Sequence, residues 1–233
     1  MKQLNFGNVT IDRVQDWYGA LLPLKDFYPT FDQAILDSQR NWLEPHFLPS
    51  KGSPNEEMLH LSLHTFVVRS GKNLILVDTC VGNHKKRSAV PDWVDYSSDY
   101  IGKLAAVGVK PEEVTHVMCT HLHFDHVGWN TKLENGKWVP TFPNARYVFD
   151  KTEFEGWSNQ QDNHGLDGSY ADSVLPVYEA GRADLVASDF ALDDTVWLEP
   201  SRGHSPGHVC INIKGQKGQA LLTGDSFHHP IQV

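Results

Sequence analysis

Three cysteines in 233 residues are too few for a disulfide framework, and the odd count leaves at least one unpaired. Each sits in or beside an apolar run (LILVDTC, HVMCTH, HVCINI), which predicts small buried thiols on strands in a reducing compartment. No stretch approaches the ~20 apolar residues of a membrane helix. The opening MKQLNFGNVTIDRV lacks the apolar core of a signal peptide, so a cytoplasmic location is the expectation. Positive charge is scarce as well, with 20 Lys+Arg against 29 Asp+Glu and a net charge of −9. A surface of that sign repels phosphate backbones, which argues against nucleic-acid binding through a broad basic patch. The only compact basic run, Lys85-Lys86-Arg87, reads as a solvated loop. Low-complexity tracts, Gly/Ser linkers and fixed-period repeats are missing too, and the length suits a single domain over 1–233.

Strand patterns dominate the rest. Leu4–Val14 reads as a strand interrupted by a Gly7-Asn8 turn, and Phe31–Leu43 is helical in pattern. Pro45, Pro49, Gly52 and Pro54 mark a long loop. Leu59–Val68 alternates apolar and polar residues, and Asn73–Asp78 follows across Ser70-Gly71-Lys72 as the second arm of a hairpin. Pro91-Asp92 is a helix start signal, with an amphipathic stretch over Trp93–Val107 that Gly108 closes. A short buried strand, Val114–Thr120, precedes the pattern HLHFDH. Trp138–Val148 holds another strand, Lys151–Gly181 is helix-like in two pieces, and Thr195–Leu198, Val209–Ile213 and Ala220–Leu222 are three more strands. Asn159–Ser169, between the helical pieces, reads as a polar surface loop. Strands bracketing helices, with both hairpins and crossovers, predict an α/β or α+β chain with mixed sheets.

Histidine is what the chain has in abundance, at 13, and its placement carries the chemistry. His121-Leu122-His123-Phe124-Asp125-His126 puts four metal-binding side chains in six residues, directly after a strand. Residues two apart in an extended segment point to one side, so His121 and His123 can grip one ion together. If the chain then turns, Asp125 and His126 can face a second ion. Neutral imidazoles and carboxylates suit zinc, manganese or ferrous iron. Two later pieces fit the same site: GHSPGH, with His204 on a turn between strands, and LLTGD, an apolar strand ending at Asp225.

HLHFDH, GHSPGH and TGD, in that order, resemble the metallo-β-lactamase-fold hydrolases, and Leu76-Val77-Asp78-Thr79 is similar to the family's strand-end Asp-Thr segment. The resemblance runs from about Leu59 to Asp225 and is nearest to the branch of homoserine-lactone lactonases and methyl-parathion-type phosphotriesterases. It implies an α/β fold, the αββα sandwich of two mixed sheets between helix layers. It also implies two divalent ions, zinc first, with manganese, cobalt or iron as alternatives. His121, His123 and His204 would hold one, Asp125 and His126 the other, with Asp225 bridging and Asp78 supporting a ligand from behind. The family's further histidine, downstream of the bridging aspartate, has no counterpart before Val233, and the last strand and helix of the fold are not in evidence either. His228 and His229 read as pocket rim, and a second ion is expected to bind more weakly. A strand edge left open there predicts poor solubility or a homodimer.

Such a site implies hydrolysis of a small ester, lactone or related substrate, with a hydroxide generated on the metals as nucleophile and Asp125 as the catalytic residue that orients it and carries a proton. Phe124, Trp129, Trp157, Tyr170, Phe227 and His228 are the candidate pocket residues. Two other readings compete: a mononuclear iron site of the sulfur-dioxygenase kind, and a truncated metal-binding domain without turnover. A nuclease is disfavoured by the charge.

Overall fold

The computed structural model describes residues 2–87, 93, 96–159 and 168–232. The described chain forms twelve strands. They are β1 (Leu4–Asn5), β2 (Val9–Pro23), β3 (Met58–Ser70), β4 (Asn73–Val77), β5 (His116–Met118), β6 (Thr131–Glu134), β7 (Lys137–Pro140), β8 (Arg146–Asp150), β9 (Ala183–Val186), β10 (Val196–Pro200), β11 (Val209–Gly215) and β12 (Gly218–Leu222). The helices are α1 (Leu24–Phe27), α2 (Gln33–Leu43), α3 (Tyr100–Ala106), α4 (Phe124–Val127), α5 (Lys151–Ser158) and α6 (Leu175–Glu179). Contacts divide the chain into two compact units, one of Met1–Asp16 with His64–Ser226, the other of Trp17–Leu63 with Phe227–Val233.

Seven strands form one sheet in the order β1-β2-β3-β4-β5-β8-β9, with β3–β4 an antiparallel hairpin and β4, β5, β8 and β9 parallel. A second, antiparallel sheet runs β10-β11-β12. Side chains alternate across β4, β5 and β8. Ile75, Val77, Met118 and Val148 pack with Leu198, Val209, Ile211 and Ile213 of the second sheet. Leu76, Val117, Tyr147 and Phe149 face the opposite way, into a core shared with Tyr100 and Leu104 of α3 and Val177 of α6. Both faces of these parallel strands are covered, which is why they read as near-continuous apolar runs. The second unit has its own core of Leu24, Leu36, Leu43, Leu48 and Leu59.

Several expectations need correcting. The helix expected over Trp93–Val107 starts only at Tyr100, where Asp99 accepts the Gly102 N–H as its cap. Upstream, Ser98 Oγ donates to the buried Asp16 carboxylate and Tyr96 Oη to the Asp16 carbonyl, drawing those residues out of helical pairing. The start signal Pro91-Asp92 lies outside the described residues, as do 160–167 of the predicted polar loop. The stretch Trp138–Val148, expected to hold one strand with Pro140 and Pro143 breaking its first half, carries two, β7 and β8, and β6 and β9 lie outside every expected strand. Lys85 and Arg87 are not solvated at all: they are 2% and 0% exposed. Arg87 donates to both oxygens of Asp172 at 2.9 Å, and Lys85 Nζ reaches Asp172, Thr131 and Ser173. Only Lys86 of the run is exposed. All three cysteines are buried and free, and among the described residues no helix is long and apolar enough to cross a membrane.

Candidate metal centre

Beyond β5 the chain bends at Thr120 and runs without helix or strand pairing to His123, whose φ and ψ of −65° and 155° are extended. His121 and His123 therefore share a side while Leu122 between them enters the core. α4 begins at Phe124, and this switch from extended to helical backbone turns Asp125 and His126 back toward the same point. His204 arrives from the turn after β10 and Asp225 from the short 3-10 turn Gly224–Ser226 that follows β12. One ligand atom each from His121, His123, His204 and Asp225 lies within 4.8 Å of the others.

The Asp225 carboxylate has two faces. Its Oδ1 is 3.2 Å from His126 Nε2. Its Oδ2 is 3.2 Å from His204 Nε2 and 3.7 Å from His121 Nε2. Asp125 Oδ2 stands 3.8 Å from His126 Nε2. At the end of β4, Asp78 takes a left-handed φ of 56° and accepts three hydrogen bonds, from Thr120 N, Thr120 Oγ1 and His126 Nδ1, at 2.8–2.9 Å. Thr120 Oγ1, having donated to Asp78, accepts from His121 Nδ1 at 3.1 Å. His121 is thereby fixed as the Nδ1–H tautomer with its Nε2 lone pair aimed inward, and His126, with its Nδ1–H held by Asp78, turns Nε2 toward the same centre.

The donor chemistry fits a cation. His123 Nδ1 lies 2.9 Å from His121 Nε2 and 2.8 Å from His204 Nε2, and one ring proton cannot satisfy both neighbours. Burial, aided by neighbouring imidazoles, pushes His121 well below the usual histidine range and His123 down to about 3, so both hold free lone pairs at neutral pH. At His126 burial opposes charge, yet Asp225, Asp78 and Asp125 together raise the pKa well above the ordinary value. The site thus demands positive charge where a divalent ion fits.

Two further residues shape it that the sequence reading did not single out. Glu153 of α5, 1% exposed, accepts from Leu122 N (3.2 Å), Trp157 Nε1 (2.8 Å) and Gly207 N (2.7 Å), tying the HLHFDH and GHSPGH loops to one carboxylate. His208 is fully buried, with its ring 5.0 Å from that of His121. No metal-ligand spacing points to Glu153, because apart from the Trp157 indole one helical turn on, its partners are remote backbone N–H groups. Of the candidate pocket residues, Trp157 stands against His123, with ring centres 5.5 Å apart at 88°. Phe124 packs on Trp93. Trp129 is a core residue stacked on Tyr100, and Tyr170 is core as well, so neither adds to the surroundings of the histidines. Phe227 and His228 belong to the second unit, where the His228 ring meets the Phe27 ring edge at 5.0 Å. His229 is committed to a structural pair, with Nε2–H donating to Phe47 O and Nδ1 accepting from Ile231 N.

Residues 61–233 match the model of the metallo-β-lactamase superfamily. The chain belongs to that superfamily. An N-acyl homoserine lactonase of Bacillus thuringiensis is 24% identical over 185 residues, covering 74% of this chain and 66% of that relative, so the chain spans slightly less than two thirds of its length. Metallo-hydrolase mfmC of Annulohypoxylon moriforme is 23% identical over 199 residues, covering 74% and 50%. Among solved structures, a probable metal-dependent hydrolase from Staphylococcus aureus superposes with a TM-score of 0.77 at 19% identity, covering 96% of this chain and 75% of that one. A dizinc quorum-quenching lactonase, AidC, does so with 0.69 at 18% identity, covering 94% and 72%. The two sheets and flanking helices are thus the metallo-β-lactamase fold, as the resemblance implied.

Proposed function

We propose that this superfamily member is a dinuclear metal-dependent hydrolase of a small ester or lactone, with zinc as the first candidate metal. The observation that carries the reading is the two-faced Asp225 carboxylate, one oxygen toward His126 and the other toward His121 and His204. A carboxylate so placed favours two ions over the mononuclear iron alternative, for which Asp125 and His126 have no use. His121, His123 and His204 would hold one ion, and Asp125 and His126 the other. A pair of divalent ions supplies polarisation of the carbonyl and a lowering of the pKa of water from 15.7 toward about 7.

The protein's own residues do the rest. Asp78 holds the His126 ring by its Nδ1–H, and Thr120 does the same for His121. Hydrolysis adds the water oxygen to the carbonyl carbon and breaks the acyl C–O bond, leaving one proton for the departing oxygen. Asp125, half-buried at the start of α4 beside His126, is the group placed to orient the water and carry that proton. Trp157, beside His123, offers an apolar wall to the substrate. The lactonase names of the curated relatives and of AidC make acyl-homoserine lactones the first substrates to try.

The test is metal content by plasma mass spectrometry followed by a lactone, ester and phosphotriester panel, with and without chelator. About two equivalents of zinc, manganese or cobalt with chelator-sensitive lactone opening is the expected result. About one iron with oxygen consumption overturns the reading, and so does no metal uptake after loading. A finer prediction concerns Asp78→Asn, which retains one acceptor oxygen for three donors. Metal affinity is expected to fall about 10–100-fold in chelator competition.

A further inference from the structure

His208, the second histidine of GHSPGH, is a fully buried imidazole beside the centre that the proposed ligand set leaves unused. Its Nε2 accepts the backbone N–H of Asp225 at 3.1 Å. A backbone amide only donates, so the ring proton of the neutral imidazole sits on Nδ1 and is donated to Ser201 Oγ at 2.7 Å. Ser201 Oγ also accepts the Cys210 S–H at 3.2 Å. The donors thus run from Asp225 N–H to His208 and from His208 to Ser201 Oγ, where the Cys210 S–H also ends, and the chain begins at the backbone that presents the two-faced carboxylate. Space around it is closed: Gly224, at a φ of +49°, would place a Cβ 2.7 Å from His208 Nε2 and 2.8 Å from Thr120. The Val209 N–H bonds to Thr120 O at 2.9 Å, so the His208 segment and the His121 segment share one backbone support.

We propose that His208 is a positioning residue which, as the Nδ1–H tautomer, sets the Asp225 backbone so that its two carboxylate oxygens face the two halves of the centre. The role rests on Asp225 being a metal ligand. The imidazole holds nothing in the centre itself. It acts through the Asp225 amide, and its effect falls on both half-sites together because the carboxylate serves both.

Two substitutions separate the ring nitrogens. His208→Gln puts an amide oxygen near the place of Nε2 and keeps the acceptor for Asp225 N–H. His208→Asn keeps a donor near Nδ1 for Ser201 and loses that acceptor. The readouts are hydrogen exchange of the Asp225 amide by NMR in the metal-free protein, zinc affinity by chelator competition, and the melting temperature of the metal-free form. In His208→Gln, the Asp225 amide is expected to stay protected and zinc affinity to stay within a few-fold of wild type. In His208→Asn, the Asp225 amide is expected to exchange at least about tenfold faster and zinc to bind about 10–100-fold more weakly. A merely structural histidine would lower both melting temperatures and leave zinc affinity unmoved, and that result overturns the proposal. Equal Asp225 exchange in the two variants overturns it too. A wild-type chain that takes up no zinc defeats the metal reading and this role with it. Zinc uptake by the wild type with an equally tight His208→Asn variant defeats this role alone.

Discussion

Asp225→Asn is expected to lose at least one equivalent of metal and to lower kcat/KM on the best lactone or ester by about 10³-fold or more, roughly 4 kcal/mol of transition-state stabilisation. An amide has one acceptor oxygen, so it cannot face His126 on one side and His121 with His204 on the other, as the carboxylate does. The positive charge that the site now draws from His126 is also no longer balanced by a third carboxylate. The melting temperature of the metal-free variant separates this from a folding defect. Asp225 is partly solvated and lies in no core cluster, so a shift within about 4 °C is expected, equivalent to ~1 kcal/mol. A variant with full metal content and unchanged kcat/KM would remove Asp225 from the centre.

The second large effect is purely steric. Gly128 follows α4, with φ and ψ of −56° and −48°, which any residue adopts. What alanine lacks there is room: a Cβ would sit 1.9 Å from the carbonyl carbon and oxygen of Val81. The two backbones are bonded together on either side, Gly128 N to Cys80 O at 2.6 Å and Trp129 N to Thr79 O at 2.8 Å. The same crossing closes from the other side, where a Cβ on Gly82 would meet Gly128 O at 2.6 Å. This contact holds the helix bearing Asp125 and His126 against the strand end bearing Asp78, so relief by backbone movement would pull the centre apart. Gly128→Ala is expected to cost ~3 kcal/mol or more, at least about 6–12 °C in melting temperature. It is also expected to lose bound metal, because Asp78 moves away from His126. Gly156→Ala is the control, since a Cβ there meets only Pro206 at 3.6 Å inside α5 and removes a helix glycine, a change that is neutral to stabilising by ~0.5–1 kcal/mol. Gly128→Ala melting with the wild type would falsify the close crossing.

Much of this was legible from residue order. The apolar alternation of β3 and the runs of β4, β5 and β11 report which faces are covered, because burial on one or both sides writes itself into a period of two or into none. The hairpin β3–β4 followed from its turn residues. The hairpin β6–β7 lacks a clear apolar alternation, and its signal in the sequence is the turn Asn135-Gly136, both at positive φ. Before Val107 the sequence offers two helix starts, Pro91-Asp92 and Asp99, and the helix begins at the second. What withholds Tyr96 and Ser98 from the helix is Asp16, some eighty positions earlier in the chain. Charge misled in the same way at Lys85 and Arg87. Their shared counter-ion, Asp172, lies 87 and 85 residues away, and it offsets part of a burial that still pushes the Lys85 pKa down to about 7.

The sequence by itself determined the chemistry at short range. HLHFDH places two imidazoles on one side of an extended segment and a carboxylate and a third imidazole on the turn of helix that follows, a consequence of backbone geometry alone. Tertiary structure decided what joins them. His204 reaches His123 across 81 positions, and Asp225 comes from the short turn that follows a strand in the other sheet. It also decided how each ring is held at Nδ1, through Asp78, Thr120 and Ser201, and which carboxylate, Glu153, ties the two ligand loops together. The physical reason is that a metal ligand is a residue type at a spacing, whereas its support is a hydrogen bond to whatever the fold brings within 3 Å, and that partner is set by sheet packing and not by the local code.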